Sequence, residues 1–265
     1  MNTLTKVILG IIVVFFIAKT CSRSDSSSTI AVTETWQKSP VDNIIKDLNA
    51  EQNFSIVLFD MDADEASDSY RHQYQVIIEK ADTVTEQKSS WKNVSASFFS
   101  QHLNDMGMEI ASKKDGVVTK QAVPAGYNHY VGNEKYGHWE NRGGSSFWAF
   151  YGQYAFMSSM FNMMSYRRSY WDDYRGGGYY GSSRGYYGPS GSSPVYGTKS
   201  YTSSGSGRST KWASKPSSFK DKVRSRVSRS SSSTRSSARS SSKTTRSSSR
   251  YRSSSTRSRS GGFGK

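Results

Sequence analysis

Two carboxylates stand two residues apart at the end of an apolar run, IVLFDMDAD at residues 56 to 64. Asp60 and Asp62 are the pair in this chain best spaced for nucleophilic or acid-base work. Asp64 extends the spacing to one that could hold a hard cation through oxygens. A calcium loop needs more. Glu65 occupies the position of the required Gly, and Arg71 the closing position where a bidentate Glu belongs, so a solvated acidic turn is the default reading. His72, His102, His129 and His138 show no HxH or HExxH spacing, so no metal is expected. Cys21 is the only cysteine, which excludes an intramolecular disulfide and a Cys-based zinc or iron-sulfur site within one chain. Serine is so abundant that Ser-His-Asp trios can be picked out anywhere, and none counts. No cofactor is expected, and the leading expectation is a protein that is not an enzyme.

The elements that must position these residues begin near Trp36. Ser39-Pro40 supplies an N-cap and a first-turn proline, and Val41, Ile44, Ile45 and Leu48 form one apolar stripe, predicting a helix over 40–50. Residues 54–61 and 70–80 read as strands. Trp91, Val94, Phe98, Phe99, Leu103 and Met106 recur at helical spacing up to Gly107, predicting a second helix over 90–106. Residues 108–112 and 117–123 flank Asp115-Gly116, a hairpin turn pair. The order α-β-β-α-β-β predicts a small two-layer α+β domain over 36–142, with both helices on one face of a four-stranded sheet.

Residues 143–168 carry no charge until Arg167. Here Phe147, Phe150, Tyr151, Tyr154, Met157, Phe161 and Met164 can share one helical face, with Trp148 beside them. Such a helix packs on the domain, lies on a bilayer or meets a protein partner. From residue 169 the chain is Tyr/Gly/Ser-rich and then Arg/Ser-rich, a composition expected to stay disordered, and only residues 214–227 carry a helical pattern.

Charge divides near the same place. Residues 36–140 carry a net of −6 and residues 141–265 a net of +20. Arg224, Arg226, Arg229, Arg235, Arg239, Arg246, Arg250, Arg252, Arg257 and Arg259 therefore suit polyanions: acidic envelope polymers, anionic headgroups or nucleic acid. An RNA-binding tail using charge and Tyr stacking is the alternative, although no nucleic-acid module accompanies it. At the other end, Val7 to Ala18 is unbroken apolar sequence between Lys6 and Lys19, as long as a secretory signal core and shorter than a spanning helix. Over 1–21 it reads as a signal cut before a lipid-bearing Cys21, as an uncleaved anchor, or as a simple secretion signal; Lys19 and Thr20 are poor residues before a lipidated cysteine. Residues 22–35 read as a linker.

Two resemblances touch function. The strand ending in Asp60-Met61-Asp62 resembles the first motif of haloacid-dehalogenase-type phosphatases, which would make Asp60 the nucleophile and Asp62 the general acid of a small hydrolase. Asp64 stands where a Thr or Val is expected, and another strand follows where a crossover helix belongs. The C-terminal half is similar to the YgiB-like uncharacterised bacterial envelope proteins, through Ser146 to Met164, Ser193 to Gly205 and Ser258 to Lys265, together with Cys21 after an apolar run. That resemblance implies a location, the membrane of a bacterial cell envelope. The leading expectation is thus a membrane-anchored structural or interaction protein whose tail contacts polyanions.

Overall fold

The computed structural model describes residues 39–64, 66–80, 83–160, 166–203 and 205–241, without the side chains of 153, 159, 160 and 231–241. Cys21, the 1–21 segment and the 22–35 linker lie outside the described residues. Helix α1, Pro40–Asp47, starts where Ser39 accepts the Asp42 N–H at 3.2 Å. Strands β1 (Asn53–Asp64) and β2 (Ser69–Lys80) form a long antiparallel hairpin, with a register shift between Leu58 and Asp60. Strand β1 is buried along most of its length and β2 alternates buried with half-buried positions, because the sheet is covered on both faces.

Strand β3 (Thr83–Lys88) and strand β4 (Lys92–Val94) both pair with β2. Helix α2 is therefore shorter than the periodicity predicts, Ala96–Gln101 instead of 90–106. Trp91 and Val94 keep their apolar spacing, but Asn93 and Val94 satisfy their backbone against Arg71 and Tyr70, and Ser95 caps the helix through the Phe98 N–H at 3.1 Å. Strand β5 (Met108–Lys114) returns beside β1, and the short β6 (Val117–Thr119) and β7 (Val123–Pro124) add to it. The result is α+β, with a seven-stranded antiparallel sheet of order β3-β2-β1-β5-β6, β4 and β7 lying off that path.

The expected two layers are three. On one face Phe54, Ile56, Leu58 and Tyr74 pack against α1 and α2. On the other, Val57 and Ile77 meet a layer of tyrosines that includes Tyr127, Tyr166, Tyr174, Tyr186 and Tyr196. This second layer also holds the hairpin of β8 (Gly137–Arg142) and β9 (Ser145–Phe150), a 3₁₀ turn at Gly152–Tyr154, α3 (Phe156–Met160) and α4 (Arg168–Gly176).

The expectation of a disordered chain from residue 169 fails over 169–203 and 205–230, where the chain is built into both cores. It supplies Tyr174, Tyr186 and Tyr196 to the second face and Tyr201, Trp212, Val223 and Val227 to the first. A scarcity of aliphatic residues misleads here, since each buried tyrosine removes about 150–250 Å² from water. Their hydroxyls are satisfied: Tyr166 donates to the Ala125 carbonyl and Tyr186 to the Tyr170 carbonyl, both at 2.7 Å, and the Tyr127 and Tyr196 hydroxyls bond each other at 2.8 Å. The later elements are α5 (Thr198–Ser203), a 3₁₀ turn at Gly205–Ser209, α6 (Lys211–Ser214) and α7 (Ser217–Ser241).

The chain changes faces between Tyr196 and Tyr201. Thr198 fastens the crossing, donating its backbone N–H to the Asn104 carbonyl at 2.9 Å and its hydroxyl to the Leu103 carbonyl at 2.7 Å. Gly197 has φ +100°, and a Cβ there would collide with the Asn104 carbonyl oxygen. Gly197→Ala is expected to cost about 1–3 kcal/mol of stability, read as a lowered urea midpoint with an unchanged slope.

Candidate functional site

Asp60 lies within β1, just past the register shift that re-aims the strand. It is 3% exposed, and its two oxygens accept three backbone N–H groups: Met61 at 2.7 Å, Lys211 at 2.7 Å and Trp212 at 3.1 Å. Burial pushes its pKa up, and the three amides pull against that. A carboxylate held in this way anchors the start of α6. Asp62, 4% exposed, faces cations: Arg71 Nη2 at 2.5 Å, Lys215 Nζ at 3.2 Å and Lys211 Nζ at 3.9 Å. Asp64 is exposed and closes the local turn, accepting from the Ala66 N–H and the Ser67 hydroxyl. The Asp-x-Asp-x-Asp run thus divides into a dock for the C-terminal segment and a solvated turn.

His72 and His102 are neighbours, with ring centroids 6.3 Å apart, while His129 and His138 lie elsewhere. His72 is fully buried among Tyr74, Phe98 and Phe99, its Nδ1 3.2 Å from the Tyr74 hydroxyl. His102 Nδ1 lies 2.7 Å from Asp105, which also accepts from the Tyr187 hydroxyl at 2.6 Å. His129 Nε2 lies 2.7 Å from Glu79, whose carboxylate also takes Tyr136 and Lys135. Burial alone would raise the Glu79 pKa; hydrogen bonds from Lys135, Tyr136 and His129 outweigh it and hold the group below its ordinary value. Glu109, fully buried, is pushed up by desolvation despite Asn128 at 2.8 Å and the Gly126 N–H at 3.2 Å. His138 is near Glu140 at the surface. Among the described residues, no group of three His, Cys, Asp or Glu is placed to hold a metal ion.

Burial lowers the pKa of both His72 and His129, with the charge of His102 adding to the effect at His72. Such a group stays neutral in the fold while the unfolded chain takes up a proton near pH 6.5. The unfolded state then binds more protons, so stability present above about pH 6.5 is lost as pH falls toward the folded pKa, at up to about 1.4 kcal/mol per pH unit for each group. His72→Phe is expected to flatten this loss between about pH 6.5 and the carboxylate range. Urea titrations at stepped pH would show it.

The aromatic/Met segment does not form the single helical face expected of it. Gly143 and Gly144, both at positive φ, make the two-residue turn of the β8–β9 hairpin, so Phe147, Trp148 and Phe150 lie on a strand. That Gly-Gly pair is the signal that could have marked the hairpin. Trp148 is buried against Trp139 at 5.1 Å, and Tyr154 and Met157 are buried in the tyrosine layer. Tyr151 is exposed and stacks on His138, while Phe147 carries the Arg167 guanidinium over its ring at 5.6 Å. Phe161 and Met164 lie outside the described residues. Where the hairpin splays from the sheet, an open cleft of about 1300 Å³ is lined by Phe59, Gln75, Glu86, Lys88, Phe150 and Phe156 among others. Its walls carry both signs of charge, with Lys88 over the Phe59 ring at 3.6 Å.

Helix α7 holds the first of the basic residues. Val223 and Val227 are buried and Phe219 is half-buried against the first core, one stripe at i, i+4 and i+8. Arg224, Arg226 and Arg229 come off the other sides; Arg226 reaches Asp68 at 3.3 Å, and Arg229 Nε donates to the Ser225 carbonyl at 3.1 Å. Arg235 and Arg239 lie on the same helix, whereas Arg246, Arg250, Arg252, Arg257 and Arg259 lie outside the described residues. The residues the sequence reading missed are Arg71, Trp91, Lys211, Trp212 and Lys215. Trp212, a large ring inside a Ser/Lys stretch, was the one local sign that this stretch packs.

Among the described residues no helix is long and apolar enough to cross a membrane. No protein-family model, curated protein or solved structure matches the chain.

Proposed function

We propose that this is a membrane-anchored protein of a bacterial cell envelope that works by binding, holding a basic helix out from its fold toward polyanions. The observation that carries the reading is the mounting of α7. Phe219, Val223 and Val227 fix its first half to the first core, against α2, and the helix as a whole bears seven Lys/Arg and one Asp. Cations on a fixed base meet a polyanion at less entropic cost than cations on a free chain. The N-terminal apolar run and the likeness to YgiB-like proteins support the location, with Cys21 as the lipidation candidate.

Charge, more than base stacking, is the chemistry on offer. The tyrosines that a nucleic-acid-stacking tail would use are largely spent on the core: Tyr174, Tyr186 and Tyr196 are buried, and the exposed Tyr180 already carries the Arg175 guanidinium 3.7 Å over its ring. Binding by catalysis-free contact also fits an Asp60 whose oxygens are occupied by amides. The location is tested by fusing residues 1–35 to a reporter. Recovery of the reporter with membranes is expected, and a reporter left in the cytosol without membrane association would sink the reading.

A further inference from the structure

Asp62 is one carboxylate facing three cations. Arg71 and Lys215 approach it at 2.5 and 3.2 Å, and Lys211 stands at 3.9 Å, beyond hydrogen-bond reach. Asp60 directs its oxygens at backbone amides and makes no ion pair with these cations, yet its charge still acts on the cluster. With Asp60 and Asp62 both counted, the three cations leave one positive charge in excess. Crowding like charges within a few ångströms of one another costs energy unless an anion joins them.

Two further features suit the cluster to binding an anion. Arg71 spends Nη2 on Asp62, while its Nε, shielded from solvent, has no hydrogen-bond partner among the described residues. Lys211 and Arg71 both lean over Trp91, at 5.1 and 5.7 Å from the ring centre, so the indole forms a wall beside the cations. Their side chains remain accessible, with Lys211 56% and Arg71 36% exposed. We propose that Arg71, Lys211 and Lys215 bind a phosphate group beside Trp91. A tetrahedral oxyanion presents oxygens in several directions, so it can meet the Arg71 guanidinium and two ammonium groups at once. This deepens the polyanion reading, on which it rests, by naming phosphate as the recognised chemistry. It places the recognition at the foot of α7, where the C-terminal segment is docked to the sheet.

The test is a thermal-unfolding titration of the full chain with pyrophosphate, alongside binding to vesicles of neutral lipid with or without phosphatidic acid. The midpoint is expected to rise with pyrophosphate, and Lys211→Gln/Lys215→Gln to weaken that binding about tenfold or more. Arg71→Lys keeps the charge beside Asp62 and loses the fork, so it is expected to weaken binding too while leaving the fold intact. It decides the matter if the double variant does not fold. Vesicle binding that pyrophosphate competes away assigns the phosphate to a headgroup, and stabilisation without vesicle binding assigns it to a soluble source; either supports the site. An unmoved midpoint, or a rise undiminished in the variants, overturns it. Arg235→Gln/Arg239→Gln separates this from the wider reading: salt-sensitive polymer binding should fall there, with pyrophosphate stabilisation kept.

Discussion

Trp212→Ala is expected to lower the free energy of unfolding by about 3–5 kcal/mol, the range for deleting a large buried ring. Trp212 is 1% exposed, packs edge-on against Phe99 at 5.7 Å and belongs to the same core as Ile56, Leu58 and Val223. Its removal would empty the contact between β1 and α6. Equilibrium urea unfolding measures the loss. A change below about 1 kcal/mol, typical of surface positions, would mean that the segment is not part of the core.

The second large effect belongs to Asp60→Ala. The carboxylate satisfies the N–H groups of Met61, Lys211 and Trp212, and its loss leaves buried donors without an acceptor at about 1–3 kcal/mol each. The raised pKa offsets part of this, since removing the side chain also removes a buried charge, and about 3 kcal/mol is the expected net. Asp64→Ala, at an exposed position of the same motif, should change stability by about 0.5 kcal/mol or less. A protein that tolerates Asp60→Ala as it tolerates Asp64→Ala would have no dock at α6. Trypsin cleavage after Lys211 should quicken in both the Trp212 and Asp60 variants, because the dock opens before the sheet does.

What could be read from the sequence was local. The Ser39-Pro40 start of α1, the two long strands after it and the Asp115-Gly116 hairpin each depend on a few neighbouring residues, and each is present. The rest depends on partners far along the chain. Val94 lies in a strand because Tyr70 is opposite it, and Trp212 is in the core because Asp60, about 150 residues earlier, holds its amide. Low complexity hid the second layer for a related reason. Tyr-Gly-Ser sequence lacks the aliphatic periodicity that marks an element, yet Tyr127, Tyr174, Tyr186 and Tyr196 form a core once a sheet face is there to receive them. The candidate site was half visible. Asp62 stood out, but the cations that face it come from Arg71 on the next strand and from Lys211 and Lys215 in a stretch that composition alone assigns to disorder.

The most direct test of a basic helix presented to polyanions is the salt dependence of binding to a duplex DNA probe, a polyanion whose counterion release is understood. Plotted as log affinity against log salt, the full chain should give a steep negative slope, and Arg224→Gln/Arg235→Gln/Arg239→Gln should flatten it by about 0.9 for each cation that meets a phosphate. Binding that ignores salt, or a slope that the three substitutions leave unchanged, would contradict the account.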